Sequence, residues 1–532
     1  MPRATDLNAG LLVALVGIPQ CLAYAMLSGL PPIYGLVTAA VPGMVAALVG
    51  RSAHVTVGPT NTTGLIILSS LAPWASNPDQ LLVAMATLTV LTGLSRLLIV
   101  VLKAEKIFNF VPESVMLGFA TGAALIIALM QLDELLGVPF EGVRTAIDSV
   151  GRLVRLRPSD ISPSALGLGL FAIAVVLLGR RFAPKWPLPL LVLLVAIALV
   201  WFAPFGFVEQ WLTLGEVTDI PSGWPPLASQ LPEWAMIQAL IIPGFAVAFI
   251  GSLELIVTLR NRHEQPWLRA EIGSQGVANL VGSVTGAFPA STSLTRSVLL
   301  EVGGAVTRWA PFIAALVMLP IIFFGAELIR AIPQPVIAGL LVATAVTMVK
   351  PQQIRRLLAA SKQARTLFVF TVVSTLVLSF HEAILLGALA GIILFLVQTS
   401  KPQLIRYAVD EEGIMHLDKD HSEQGRYLIQ VSGSLYFAAA RQLPDRLALL
   451  LPENATIVVV ELSHAHQSRV SAAQALQDFV ELARHRGIEV QLCGASDAFR
   501  WLSRRLGMNL PWCNFQLQKR LMQPPESEDR QP

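Results

Sequence analysis

The sequence predicts a polytopic α-helical membrane protein followed by a small α/β domain. Three observations carry this. Of 532 residues, 54% are apolar and only 14% are charged, against about 25% charged in an ordinary soluble chain. Apolar segments of spanning length recur from residue 8 to 399, each able to cross hydrocarbon as a helix or half-helix. Beyond Lys401 the apolar character stops, and short strand and helix patterns alternate, the mark of a compact α/β unit.

The mean hydropathy is +0.63. A net charge of +3 with no basic run interleaved with aromatics sets nucleic-acid binding aside. Cys21, Cys493 and Cys513 are scattered and suggest neither a disulfide framework nor a CxxC metal site. The start, MPRATDLNAG, is short and polar, and apolar residues follow for hundreds of positions. A first spanning helix fits this better than a cleaved signal peptide.

Fourteen segments are predicted to span, near 8–28, 33–50, 59–73, 80–102, 112–136, 164–180, 186–204, 236–259, 270–287, 292–303, 307–325, 330–349, 363–380 and 382–399. The third and tenth are too short to cross about 30 Å as straight helices. They hold the same place in two halves of seven. An odd number of spans per half inserts the second half upside down, and paired broken segments in such halves point to a transporter's binding site.

Lys and Arg in the short loops set the orientation. With a cytoplasmic N-terminus, the inward loops hold Arg51, Lys103, Lys106, Arg180, Arg181, Lys185, Arg260, Arg262, Arg269, Lys350, Arg355, Arg356, Lys362 and Arg365. The outward loop 205–235 is acidic, without Lys or Arg. The loop 137–162, with Arg144, Arg152, Arg155 and Arg157, disagrees and is outvoted. Fourteen spans return the C-terminus to the cytoplasm.

The expected domains are a membrane domain over 1–400, a charged linker over 401–425, an α/β domain over 426–521 and a disordered tail over 522–532. Within the third, 426–437 and 455–462 read as strands, 471–486 as an amphipathic helix ending at Gly487, 488–493 as a strand and 496–507 as a helix.

The chemistry concentrates at the broken segments. In TGAFPASTSLTRSVLL (285–300), Pro289 breaks the preceding helix. Ser291, Thr292 and Ser293 supply helix-start chemistry. The half-helix that follows would aim its N–H groups and positive dipole end at mid-membrane. Arg296, one turn in, adds a permanent charge. Together these make an anion site, preferred over a static pair with a buried carboxylate because ionisable groups at this depth are functional by default. The first half offers HVTVGPTNTTGLIIL (54–68): Gly58-Pro59 breaks the chain, and Thr60, Asn61, Thr62 and Thr63 begin a second half-helix.

On the first span, Gln20 and Tyr24 share a face at i, i+4 after Pro19. Gln20 can donate to an oxyanion, and Tyr24 offers a ring and a hydroxyl. The eighth span carries Glu254 with Thr258 one turn on. A carboxylate at that depth costs about 3 kcal/mol when ionised and is cheaper protonated, which suits proton coupling. Glu254 with Thr258 could instead ligate Na⁺, or Glu254 could pair with Arg296.

These residues resemble the SulP anion transporters over nearly the whole chain. The matching pieces are PQCLAYAMLSGLPPIYGL, the GPTNTT helix start, GSLELIVT, SQGVANLVGSVTGAFPASTSLTRS with the distal GGAVTR, and a C-terminal unit that resembles a STAS domain. The resemblance implies fourteen spans in two inverted seven-span repeats, a core domain (spans 1–4 and 8–11), a gate domain (spans 5–7 and 12–14), a homodimer and elevator-like transport. It implies an anion site at Gln20, Tyr24, Thr60, Asn61, Thr62, Ser293, Thr295 and Arg296, with Glu254 and Thr258 for ion coupling. The expectation is an H⁺-coupled carrier of sulfate or bicarbonate in the plasma (inner) membrane, with no cofactor and no resident metal. A Na⁺-coupled bicarbonate symporter, an exchanger or a channel of the same family stands as the alternative. A nucleobase-type carrier fits poorly with Arg296, and a STAS-based sensor poorly with the intact polar cluster. A cytoplasmic partner at the STAS domain is left open.

Two departures from the family pattern stand out. PASTSLTR carries hydroxyls where members often have a small residue such as Gly. The STAS turn that is often Asp-Ser-Ser-Gly-like reads Arg469-Val470-Ser471-Ala472, which speaks against a phospho-switch and leaves Ser471 as a helix cap. With no nucleophile–base pair, metal cluster or phosphate loop in the sequence, an enzyme is not expected.

Overall fold

The structure is a computed structural model. It describes residues 3–138, 151, 157, 161–182, 186–202, 211–260, 264–399, 401–409, 415–417, 425–466 and 469–513. The tail 522–532 and Arg144, Arg152 and Arg155 lie outside the described residues. The chain divides into two compact units, 1–391 and 392–532.

The first unit is helical. Its leading helices are α1 (Ala4–Leu27), α2 (Pro32–Val49), α3 (Asn61–Leu71), α4 (Pro78–Val101) and α5 (Glu113–Met130). Each of the fourteen predicted segments coincides with a helix or a consecutive pair of helices. Among the described residues, seven helices are long and apolar enough to cross a membrane on their own, and three more apolar helices, Pro163–Gly179, Leu188–Phe202 and Trp309–Phe324, are shorter. Apolar residues run all round these helices, so both packed and lipid-facing positions are satisfied without a polar stripe. Helix Pro351–Ala360, which has no buried residue, falls outside the predicted segments.

Two packing groups are evident. Helix α1 packs on α2, α3, the helix Leu294–Val302 and the helix Trp309–Leu316. Helix α4 packs on the helices Trp234–Arg260 and Leu268–Ser283. A second group joins α5 to Lys362–Val377 and Gln334–Met348, and Pro163–Phe182 to Gln334–Met348; α1 touches this group at Leu188–Phe202 and Gln334–Met348.

The two halves meet at their broken segments. Strand β1 (Val57–Gly58) pairs antiparallel with β2 (Ser291–Thr292), Val57 opposite Thr292 and Gly58 opposite Ser291. This short ladder satisfies extended backbone that lipid would not tolerate. Each strand leads directly into its half-helix, α3 after β1 and Leu294–Val302 after β2. Because the strands are antiparallel, the half-helices leave the ladder from opposite ends. Inverted repeats produce this arrangement.

The second unit is a sheet in the order β4 (Met415–Leu417), β3 (Gln403–Val409), β5 (Arg426–Ser434), β6 (Ile457–Glu461) and β8 (Glu489–Cys493), with β7 (Ala465–His466) paired to β5. Strands β5 (Arg426–Ser434), β6 (Ile457–Glu461) and β8 (Glu489–Cys493) are mutually parallel. Leu443 and Leu447 of helix Phe437–Leu449, with Leu476 and Phe479 of helix Val470–His485, fill the core against Ile429, Val458 and Val460.

Several expectations are corrected here. Residues read as linker form strands β3 (Gln403–Val409) and β4 (Met415–Leu417). They pair antiparallel with each other, and β3 pairs with β5. Ser471 lies inside the first turn of its helix, and the cap position belongs to Arg469, without a side-chain cap. Gly487 has φ +76°, as the predicted helix end requires. Cys493 and Cys513 form a disulfide, Cα atoms 5.3 Å apart. They meet because the segment after helix Asp497–Arg505 returns alongside β8, where Leu492 N–H donates to Pro511 O and Cys513 N–H to Leu492 O. Sequence spacing carried no sign of that return.

Candidate functional site

The ladder fixes where the two half-helices begin. Thr60, in extended backbone, is the cap of α3, and its hydroxyl accepts from Thr63 N–H at 3.3 Å. Ser293 caps the second half-helix and accepts from Arg296 N–H at 3.4 Å. Proline just before one cap and an Ala-Ser-Thr strand before the other leave hydroxyls as the best partners for first-turn N–H groups.

Arg296 is buried in the middle of this arrangement. Its Nη2 donates to Pro59 O at 2.8 Å, and its Nη1 to Cys21 Sγ at 3.1 Å. Its Nε has no protein partner. A Cβ at Gly58 would come within 3.0 Å of the guanidinium, so only glycine leaves it this room. The arginine of the second half therefore ties down the chain break of the first.

The other candidates gather at the same place, with one exception. Tyr24 is buried on α1, about one helical turn from Cys21 and its contact with Arg296, and among the described residues the buried Gln20 Oε1 has no partner. Asn61 and Thr62 are half-buried, and Asn61 Oδ1 accepts from Thr62 N–H at 3.0 Å. Ser293 is buried, whereas Thr295 is exposed. Thr258 is buried and its hydroxyl donates to Glu254 O at 2.9 Å, a bond within its own helix.

Glu254 is buried. Ser291 Oγ lies 3.5 Å from its Oε2, and the Thr62 side chain also reaches the carboxylate. The pairing of Glu254 with Arg296 weighed from sequence is not what the geometry gives. The cation facing Glu254 is Arg96 of α4. Sequence reasoning missed Arg96, although the signal was there: an arginine inside a 24-residue apolar helix meets the same criterion that singled out Arg296. It also missed Cys21 and the helper pair Gln275 and Asn279, and it read Ser291 as helix-start chemistry rather than as the link between Arg96 and Glu254. Gln275 Nε2 donates to Thr292 Oγ1 at 2.7 Å, and Asn279 brackets Ala290 by accepting from its N–H at 2.8 Å and donating to its carbonyl at 3.1 Å.

Chemically this is a polar pocket in apolar surroundings. It combines two helix starts, a fixed guanidinium and hydroxyl donors, which favour a negative ligand. No group of three or more His, Cys, Asp or Glu able to hold a metal occurs among the described residues.

Comparison with known proteins agrees with the architecture. Residues 4–373 match the sulfate permease family, and residues 419–512 the STAS domain. The chain is 25% identical over 508 residues to the putative sulfate transporter YbaR of Bacillus subtilis, covering 94% of this chain and 96% of that one. It is 26% identical over 474 residues to human solute carrier family 26 member 6, covering 83% of this chain; the match spans 62% of the longer human protein. The fold matches that of the murine solute carrier 26 family member A9 anion transporter in the inward-facing state, with a TM-score of 0.79 at 17% identity over 94% of this chain and 87% of that one. The chain thus belongs to the sulfate permease (SulP) family: it is an integral membrane anion transporter with a C-terminal STAS domain, not an enzyme.

Proposed function

We propose that the protein is a secondary active carrier of a small inorganic anion of the sulfate or bicarbonate class, driven by protons. The observation that carries this is the convergence of both half-helix starts on the buried Arg296, joined by the β1–β2 ladder. The anion would sit against Arg296 and the hydroxyls of Thr60, Thr62 and Ser293, within reach of Gln20, Tyr24 and Asn61. Thr295, being exposed, contributes to the mouth rather than the floor. Glu254 would take up the coupling proton as the anion binds. Spans 1–4 and 8–11 would move as the core against a gate of spans 5–7 and 12–14, the protein acting as a homodimer in the plasma (inner) membrane with both termini cytoplasmic. The two packing groups support that division.

The test is uptake of labelled sulfate and labelled bicarbonate into proteoliposomes, under separate inward H⁺ and Na⁺ gradients. Sulfate uptake driven by H⁺ is expected, and Glu254→Gln should abolish the pH-gradient drive while exchange persists. Undiminished proton-driven uptake in that variant would sink the coupling assignment. Bicarbonate uptake driven by Na⁺ would keep the anion site and make Glu254 and Thr258 sodium ligands instead.

A further inference from the structure

A second arginine is buried as completely as the first. Arg96 lies inside α4 and has no exposed surface. Its Nη1 donates to Ala290 O at 2.8 Å and its Nη2 to Ser291 Oγ at 3.2 Å. Ser291 Oγ stands between Arg96 and Glu254, 3.5 Å from the carboxylate. The arrangement mirrors the one around Arg296. Arg296 binds the carbonyl of Pro59 just after β1, and Arg96 binds the carbonyl of Ala290 just before β2. Gly58 leaves room for the Arg296 guanidinium, and Gly251 does so for Arg96: a Cβ at Gly251 would collide with Ser291 and with the Arg96 guanidinium.

A guanidinium stays charged at any working pH, and a buried charge is tolerated only when it is compensated. Among the described residues, the titratable groups facing this point from the packed elements are few. They are Cys21 and Tyr24 on α1, Arg96 on α4, Glu254 on Trp234–Arg260 and Arg296 on Leu294–Val302. Thr62, Gln275 and Asn279 complete the surround and carry no charge. The Cys21 thiol and Tyr24 phenol are uncharged at neutral pH. Net charge is therefore set by two arginines and one carboxylate.

We propose that Arg96 is a positioning residue that holds Glu254 through Ser291 as its fixed counter-charge and thereby sets the valence of the transported anion. This rests on the reading of Arg296 as the anion site and Glu254 as the coupling carboxylate. With Glu254 ionised, the cluster carries one net positive charge, which a monovalent anion neutralises. With Glu254 protonated it carries two, which a divalent anion neutralises. A divalent anion and one proton entering together then leave the loaded cluster neutral, and the pair itself carries one net negative charge. Without Arg96 each count falls by one: the protonated cluster matches a monovalent anion, and the ionised cluster matches none.

The experiment compares labelled sulfate with labelled chloride uptake in proteoliposomes of the full chain. It uses wild type, Arg96→Gln, Arg96→Lys, Glu254→Gln and the Arg96→Gln/Glu254→Gln double variant, each at acidic and alkaline external pH. Arg96→Gln should lower the sulfate-to-chloride ratio at least about tenfold, the scale expected for removing one partner of a buried charge pair. Arg96→Lys, which keeps the charge, should restore the preference for sulfate. Glu254→Gln should favour sulfate at every pH, and the double variant should favour chloride at every pH. An unchanged ratio in Arg96→Gln overturns the proposal. So does equal loss of both anions in Arg96→Gln and Arg96→Lys, which would make the residue merely structural. Failure of the underlying reading looks different: wild type taking up neither anion, or full uptake of both by Arg296→Ala.

Discussion

Among the described residues, the Arg296 guanidinium makes two hydrogen bonds, to a carbonyl and to a thiol, and its Nε is left over. Neither partner is a carboxylate, so its charge is held in place without being neutralised, the state suited to receiving an anion. Arg296→Ala should therefore weaken anion binding by about 10- to 100-fold, since hydrogen bonds to charged groups contribute about 1.5–3 kcal/mol each; titration calorimetry with sulfate reads this directly, and unaltered affinity counts against the site. Gly251 makes a second test at this scale. Gly251→Ala puts a methyl where Ser291 and Arg96 now lie, so it should lower transport while leaving the STAS unit folded. Uptake equal to wild type would mean that the Arg96 cluster can shift at no cost. Single residues were the least legible part of the sequence. Arg296 announced itself because a proline and a run of hydroxyls surround it, whereas Arg96 sits in an uninterrupted apolar helix and looks like a span edge until the fold shows it fully buried.

At the scale of elements, the chain breaks were legible because their causes are local. Pro59 and Pro289 lack a donor, and the hydroxyls that follow can cap a helix; both half-helices start within a residue of Thr60 and Ser293. What the breaks would pair with was not legible, since β1 and β2 are two residues each and more than two hundred positions apart. The cap can be tested on its own. Thr60→Ala removes the acceptor for Thr63 N–H and should cost about 1 kcal/mol, read as faster hydrogen exchange at the first turn of α3 and a modest loss of anion affinity. Protection unchanged from wild type would show that the turn is held by its packing alone. Strands β3 and β4 went unread for the opposite reason: β3 mixes exposed and half-buried positions around Arg406, and β4 is an edge strand of three residues, so neither carries an apolar run. Helix Phe437–Leu449 was hidden in a similar way, with Pro444 inside it and only four buried residues.

For the molecule as a whole, the charge logic of the membrane unit has a counterpart in the STAS unit, where a buried carboxylate makes stability depend on pH. Glu461 ends β6 and is 3% exposed. Burial pushes its carboxyl above the ordinary value of 4.5, while the Ser463 N–H, donating at 2.7 Å, and His464 pull the other way. Its Oε2 has no partner among the described residues. The folded unit therefore holds this proton more tightly than the unfolded chain does. The stability this supplies is fully present below the unfolded value and is lost as pH rises through the folded one. Above that window the carboxylate is ionised in both states and the cost of burying it is constant. Glu461→Gln removes the titration while keeping an acceptor for Ser463. Denaturant unfolding of residues 392–532, followed by the fluorescence of Trp501 and Trp512, should show wild type losing stability from pH 4.5 upward relative to Glu461→Gln. The gap between the two should widen across the window and then stay constant. Parallel pH profiles for the two proteins would mean that Glu461 titrates alike in the folded and unfolded chain, and that its neighbours fully offset its burial.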